Sequence, residues 1–303
     1  MTVLSVIIPA HNAAPYLGDA IDSVLAELPR EADRRSEVIV VDDGSTDATP
    51  DVLERYADRV RVIRRTERSS PGTARNTGAA TATGDVLAFH DADDLALPGR
   101  FSKLLAVLDA EHDLDLAFGN GLKIYLPDTR VRPVIRKSYA NRLRRHVGPS
   151  EMLLGSWLYP QAMCVRTAGF HALGGFSAEP VEDWDFGLRA SLRLRLAFVD
   201  VPVFAYRQHA ASMTMQRYAF SHTMLGFLER FVAAHPELAQ QIGRKEVDHA
   251  LARYLARTAQ HHARSGDTAG ARSMLSRAIA FDPASLRYRW RFLKLRMGIA
   301  PGA

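Results

Sequence analysis

The chain of 303 residues contains one cysteine, Cys164. An internal disulfide framework is excluded, and a lone thiol in a reducing compartment is usually a packing residue. No apolar run reaches the roughly 18 to 20 residues that a bilayer span needs. The opening MTVLSVIIPA has neither a basic leader nor enough apolar length for a secretory signal. The expectation is a cytoplasmic protein, with peripheral attachment at the inner membrane face as a variant. Phosphate-cradling loops are missing too. Pro9, Ala10, His11 and Asn12 follow the first apolar run where a dinucleotide enzyme carries Gly-x-Gly-x-x-Gly, and no Gly-x-x-x-x-Gly-Lys-Ser/Thr occurs.

What is there has the balance of a globular protein, with 47% hydrophobic and 24% charged residues. Its 39 Lys and Arg outnumber its 34 Asp and Glu. The excess gathers at two places. One is Arg130, Arg132, Arg136, Lys137, Arg142, Arg144 and Arg145; the other is LRYRWRFLKLRMG near the end. Such clusters suit phosphate-bearing partners or an anionic membrane surface, or form solvated helical faces.

The first 120 residues alternate in type. LSVIIP (4–9), EVIVVDD (37–43), VRVIRR (60–65) and DVLAF (85–89) read as strands too continuously apolar to have a wet face. Helices are expected between them: one placing Leu17, Ala20, Ile21, Val24, Leu25 and Leu28 on one face, one over 47–57 capped by Asp47, and one over 71–82 opened by Pro71. RFSKLLAVLDAE (100–111) reads as a fourth. This is the pattern of βαβ units in a mostly parallel sheet flanked by helices. Residues 116–215 are less regular, with a possible hairpin over LDLAFGNGLKIY and RVRPVIRK, strand-like runs at 161–166, 196–200 and 203–207, and a helix over 181–193. Residues 216–303 read as a helical extension, with one tetratricopeptide-like pair of helices around Gly266-Asp267.

In such a sheet, ligands bind beyond the carboxyl ends of the strands. Those ends carry Pro9-Ala10-His11-Asn12, Asp42-Asp43-Gly44 and FHDADD with Asp91, Asp93 and Asp94. Carboxylates at i and i+2 in extended chain point to one side, and hard oxygen ligands so spaced suit Mg²⁺ or Mn²⁺ completed by substrate phosphates. The alternative is a loop with Asp94 as a helix cap. Asp43 is an acceptor suited to a pyrimidine ring N–H or a ribose hydroxyl, or is a turn residue in Asp-Gly-Ser-Thr-Asp. Without a glycine cradle, diphosphate charge falls to a metal and to side chains such as Arg75, Arg207 or His209. Glu182 and Asp183 are equivalent candidates for a general base, or charges at a helix start. Trp184 suits sugar stacking or the core. His11 and His90 are expected to make local hydrogen bonds only.

Four blocks in order, LSVIIPAHNAAPYLGDAIDSVL, VIVVDDGSTDAT, PGTARNTGAATATGDVLAFHDADDLALPGR and VEDWDFGLR, resemble the inverting family 2 glycosyltransferases over roughly residues 3–210. The resemblance implies a GT-A fold, with residues 1–115 binding a nucleotide-sugar and 116–215 forming the acceptor side. It implies that Pro9, Ala10, Asn12 and Asp43 line the nucleotide pocket and that Arg75 lies beside the donor. Asp93 would coordinate the divalent cation, Mn²⁺ or Mg²⁺, and Asp91 would contact the ribose or that metal, with Arg207 and His209 in a segment able to close over diphosphate or metal. Asp183 would be the general base. The partners implied are a nucleotide-sugar, a UDP-sugar foremost, and a saccharide, lipid-linked or protein acceptor, with no nucleic acid. Gln216-Arg217-Tyr218 stands where processive members carry Gln-x-x-Arg-Trp, which implies one sugar added per encounter. The other classes considered are a nucleotidyltransferase acting on sugar phosphates and a docking protein using the basic helical tail on a partner or membrane.

Overall fold

The structure is a computed structural model describing residues 3–30, 35–125, 130–143, 146–208 and 217–298. His209 and Gln216, singled out from the sequence, lie outside the described residues, as do Arg144 and Arg145.

The apolar runs become strands because each is covered on both faces. β1 (Val3–Ala10), β2 (Arg35–Asp43), β3 (Arg61–Arg65) and β4 (Val86–Phe89) pair in parallel in the order β3-β2-β1-β4. The crossovers are α1 (Ala14–Glu27), α2 (Thr49–Glu54) and α3 (Pro71–Thr81). Leu17, Ala20, Ile21 and Val24 of α1 are buried, as their spacing predicts. Asp47 does not cap α2 as expected; Ala48 holds that position. The Asp47 carboxylate instead accepts from Thr49 N at 2.9 Å and Ala14 N at 3.2 Å, serving two helix starts at once.

Beyond β4 come β5 (Leu95–Ala96), α4 (Arg100–Ala110), β6 (Leu116–Tyr125) and β7 (Arg130–Pro133). They are followed by α5 (Lys137–Ala140), β8 (His146–Val147), α6 (Pro149–Leu153) and a 3₁₀ turn at Pro160–Ala162. Then come β9 (Met163–Arg166), α7 (Thr167–Ala172), α8 (Glu182–Arg193) and β10 (Leu196–Gln208). The expected hairpin is β6 with β7. The two strand-like runs at 196–200 and 203–207 are one strand, β10, whose register against β6 shifts around Pro202. Proline has no N–H for the ladder, so the irregularity falls there.

The sheet runs β3-β2-β1-β4-β9-β6-β10-β5, and it is mixed where the alternation predicted mostly parallel pairing. β9 is antiparallel to both β4 and β6. Cys164 pairs in register with Ala88 on one side and Ala117 on the other, and all three are fully buried. Three small side chains in a row leave room for α4, so the cysteine is a packing residue.

α3 lies against β1 and β2. Ser70 caps it, accepting from Thr73 N at 3.1 Å. A Cβ on Gly78 would stand 2.5 Å from Ile7 Cγ2. The glycine is what lets α3 sit close to the sheet.

Residues 1–178 with 182–209 form one compact unit; residues 179–181 with 210–303 form a second. The second contains α9 (Arg217–Ala234), α10 (Pro236–Ile242), α11 (Arg244–Arg264), α12 (Thr268–Phe281) and α13 (Leu286–Arg296). Leu228, Leu255 and Leu275 are among its buried residues. Asp267 caps α12 through Gly270 N at 2.8 Å, after Gly266 at φ +84° turns the chain as expected. Among the described residues no helix is long and apolar enough to cross a membrane.

Gly78→Ala gains helix propensity but overpacks against Ile7. We expect a net loss of about 1–3 kcal/mol, read as a lowered chemical-denaturation midpoint. An unchanged or raised midpoint would show that α3 is free to back away from the sheet.

Candidate active site

The carboxyl ends of β1, β2 and β4 meet at one edge. Asn12 holds a left-handed backbone, φ +50°, which asparagine tolerates better than most residues. Its side chain accepts from Thr46 N at 2.8 Å, and its own N–H donates to Ser45 Oγ at 3.0 Å. His11 Nδ1 donates to Asp43 O at 2.9 Å, the local bond expected of it. The loops after β1 and β2 are thus clipped together. Asp43 is buried. Its carboxylate accepts from Ser69 N and Ser69 Oγ, both at 2.8 Å, and pairs with Arg65 Nε at 2.8 Å. The carboxylate is therefore fixed in place at the end of β2, the strand whose neighbour closes with Pro9 and Ala10. Ser69 and Arg65 had no motif to announce them.

After β4 the chain turns through Asp91–Asp94, closed by Asp94 N donating to Asp91 O at 3.1 Å. Asp94 is not the helix cap considered above; Gly99 precedes α4. Asp94 is fully buried and accepts from Gln161 Nε2 at 2.7 Å and Arg207 N at 3.0 Å. Burial pushes its carboxyl well above the usual range, and the charges of Asp91 and Asp93 push it further. Arg207 braces the same turn. Its Nε donates to Asp93 O, its Nη1 to Asp19 at 3.0 Å and its Nη2 to Tyr16 O at 3.2 Å. Its guanidinium spans α1 and the acidic turn.

Beneath the turn lies Arg100, fully buried, donating to His90 Nδ1 at 2.7 Å and to Phe89 O. His90 Nε2 then donates to Asp94 O at 3.3 Å. The histidine makes the local bonds expected, and the arginine is one that sequence reading left as an ordinary helix residue.

Arg75, also buried, donates to Asp91 Oδ1 at 2.6 Å and Glu182 Oε1 at 2.9 Å. Burial disfavours its charge, yet the two carboxylates more than restore it and its pKa is raised. The four residues Glu182–Asp185 consequently do different jobs. Glu182 is the counter-ion of Arg75. Asp185 is buried and pairs with Arg189 at 2.6 Å, one helical turn on. Trp184 is core, its indole donating to Met152 O at 2.8 Å, so the sugar-stacking alternative fails. Asp183 accepts from Ser156 Oγ at 2.8 Å and Trp184 N at 2.7 Å and pairs with no described cation. Burial, reinforced by the charge of Glu182, pushes its carboxyl up to about 6.

The model of the family described as glycosyl transferase family 2 matches residues 5–166, more than half of the chain. The chain belongs to that family. Putative glycosyltransferase EpsH of Bacillus subtilis is 30% identical over 227 residues, 71% of this chain and 63% of EpsH. The chain spans less than two thirds of the length of the first curated relatives it matches. The crystal structure of S. aureus TarS 1–349 with UDP-GlcNAc superposes with a TM-score of 0.70 at 20% identity, covering 99% of this chain and 88% of that one. The mannosyltransferase PcManGT of Pyrobaculum calidifontis, in complex with GDP-Man and Mn²⁺, superposes with 0.61 at 21% identity, covering 98% and 85%. Both share the fold.

A divalent ion needs oxygen ligands of the kind the acidic turn carries. Among the described residues no group of three or more His, Cys, Asp or Glu could hold one. Mg²⁺ and Mn²⁺ need fewer when substrate phosphates complete the shell. Arg75 occupies one oxygen of Asp91 and Asp94 is turned inward to Gln161, which leaves the Asp93 carboxylate and the second oxygen of Asp91 as the turn's candidate ligands. The turn therefore fits an ion taking one or two protein carboxylates.

Arg75→Ala leaves Asp91 and Glu182 without their cation in a partly buried site. A stability loss of about 3 kcal/mol or more is expected in denaturant titration; a loss below about 1 would mean water replaces the guanidinium at little cost. Asp183 gives the opposite sign. Its folded pKa lies above the unfolded value, so ionising it destabilises the fold as pH rises through about 6. Asp183→Asn should melt higher than the natural protein at pH 7.5, with the gap closing near pH 4.

Proposed function

We propose that this family 2 protein is an inverting glycosyltransferase that moves one sugar per encounter from a nucleotide-sugar to an acceptor hydroxyl, with Mn²⁺ or Mg²⁺. The carrying observation is the Arg75 bridge, which ties the acidic turn after β4 to the start of α8 and leaves Asp183 unclaimed by any described cation. A donor diphosphate belongs beside Asp91 and Asp93. A divalent ion held there would neutralise the charge that grows on the leaving group.

The remaining work falls to the chain's own side chains. Asp43, fixed by Ser69 and Arg65, is assigned to the base or ribose, alongside Pro9, Ala10 and Asn12. A UDP-sugar is the proposed donor, because a carboxylate suits the ring N–H of uracil. TarS in complex with UDP-GlcNAc supports the same choice. Arg75 pairs with both Asp91 and Glu182 and holds the acidic turn against the start of α8. Asp183 is assigned as general base, taking the acceptor hydroxyl's proton on the face opposite the leaving group, so the anomeric configuration inverts. A base near 6 is deprotonated at neutral pH and strong enough to assist. Ser156 holds its carboxylate in orientation. The acceptor is proposed as a saccharide or a lipid-linked or protein glycan in surface polysaccharide or glycoconjugate synthesis. The single cysteine supports a cytoplasmic location. No observation favours the nucleotidyltransferase alternative.

A thermal-shift screen of nucleotide-sugars with and without Mn²⁺ tests the donor, since a ligand of the native state raises its melting point. Asp93→Ala should abolish the Mn²⁺-dependent part of the shift; an undiminished shift would remove the metal from this turn. Asp183→Asn should keep donor binding but lower kcat by about 10²-fold or more. In the natural enzyme, kcat should rise with pH through about 6 and then level off. A rate in Asp183→Asn equal to that of the natural enzyme would move the base elsewhere.

A further inference from the structure

The second unit carries a charge arrangement that transfer chemistry does not use. α13 reads LRYRWRFLKLR, with five cations and no carboxylate. Only Tyr288 and Leu295 of this helix are buried, while Leu286, Trp290 and Leu293 are exposed by 78%, 55% and 44%. Arg287, Arg291 and Lys294 recur at helical spacing and share one face. With Trp290 they line a groove of about 280 Å³ whose floor includes Ala256 and Ala259 of α11 and Leu275 of α12. No Asp or Glu lines it.

Two cations elsewhere in this unit have carboxylate partners: Arg277 pairs with Glu229 and Arg244 with Asp248. Among the described residues no carboxylate lies within ion-pair distance of Arg287, Arg291 or Lys294. Lys294 Nζ rests 5.4 Å from the Trp290 ring centroid instead. Like charges one turn apart repel, and burial followed by the nearby Arg287 lowers the pKa of Arg291. Three such cations beside an apolar floor complement an anion. Exposed Leu286, Trp290 and Leu293 among them decide between anions, because a small soluble phosphate has no use for apolar contact. An acidic bilayer offers headgroup charge and an acyl boundary together.

We propose that this face docks on an anionic phospholipid surface. Arg287, Arg291 and Lys294 take the headgroup phosphates, and Trp290 and Leu293 enter the acyl boundary. The proposal is independent of the catalytic reading and would stand if that reading fell.

The test is flotation of the full chain with vesicles of phosphatidylcholine alone or with added phosphatidylglycerol. Binding is expected only with the acidic lipid, falling steeply with salt. Arg287→Gln/Arg291→Gln/Lys294→Gln should weaken partition by about a hundredfold, roughly fivefold per cation. Trp290→Ser should weaken it several-fold and abolish a blue shift of tryptophan emission seen on binding. Both variants should keep the natural melting point and donor-induced thermal shift, which separates a docking defect from misfolding. Failure to float with acidic vesicles, equal flotation with neutral ones, or undiminished binding by the triple variant would each overturn the proposal. So would displacement by inorganic phosphate beyond that by chloride of equal ionic strength, which would make the groove a free-anion site.

Discussion

A guanidinium stripped of water needs its compensation built around it, and Arg75 has two carboxylates from distant parts of the chain. Asp91 is 16 residues away and Glu182 is 107 away. Losing the guanidinium would leave both carboxylates unmatched in a partly buried site, which is far more costly than losing a surface pair. The backbone serves this clamp. Gly78 lets α3 press on the sheet. Gly72, where a Cβ would stand 2.8 Å from Ser177 O, lets the first turn of α3 approach the segment before α8. Small residues along a helix that looked merely permissive are the condition for placing one arginine.

The clamp also sorts the carboxylates. Two adjacent acids at a helix start are equivalent in sequence and different in space. Glu182 reaches the cation; Asp183 reaches a serine hydroxyl and stays among protein atoms that raise its proton affinity. Asp94 shows the same separation. It stands one residue from Asp93, but its side chain faces inward to Gln161 and a backbone N–H. Counting acids in a motif overstates how many of them face a ligand.

The alternation of apolar runs and amphipathic helices was enough to read the four parallel strands, because local pattern and burial agree there. The motif residues at the strand ends were legible for the same reason: chain direction alone brings Pro9, Asp43 and Asp91 to one edge. β9 was legible as a strand but not in its direction, since four residues carry no signal for which neighbours they will join. The partners of the motif residues were hidden more thoroughly. Ser69, Gln161 and Ser156 are ordinary polar residues until the fold brings them up. Arg100 looks like a solvated helix start, and only tertiary burial makes it a floor beneath the acidic turn. Arg207 stands in a segment that sequence singles out, but its engagement with Asp19 and Tyr16 O is a fact of packing that sequence does not encode locally.

The acidic turn has its supports far downstream. Gln161 is 67 residues from Asp94, and Arg207 is 113. Chain closure over such distances is slow compared with the local βαβ pairings that precede it. During synthesis the first four strands can therefore assemble while the turn still lacks its braces. Asp94 then has neither of its hydrogen-bond donors, and its negative charge has no reason to leave water. The turn gains its braces only when β10 has emerged and paired alongside β6, so on a ribosome-bound chain the four parallel strands precede the final arrangement of the acidic turn.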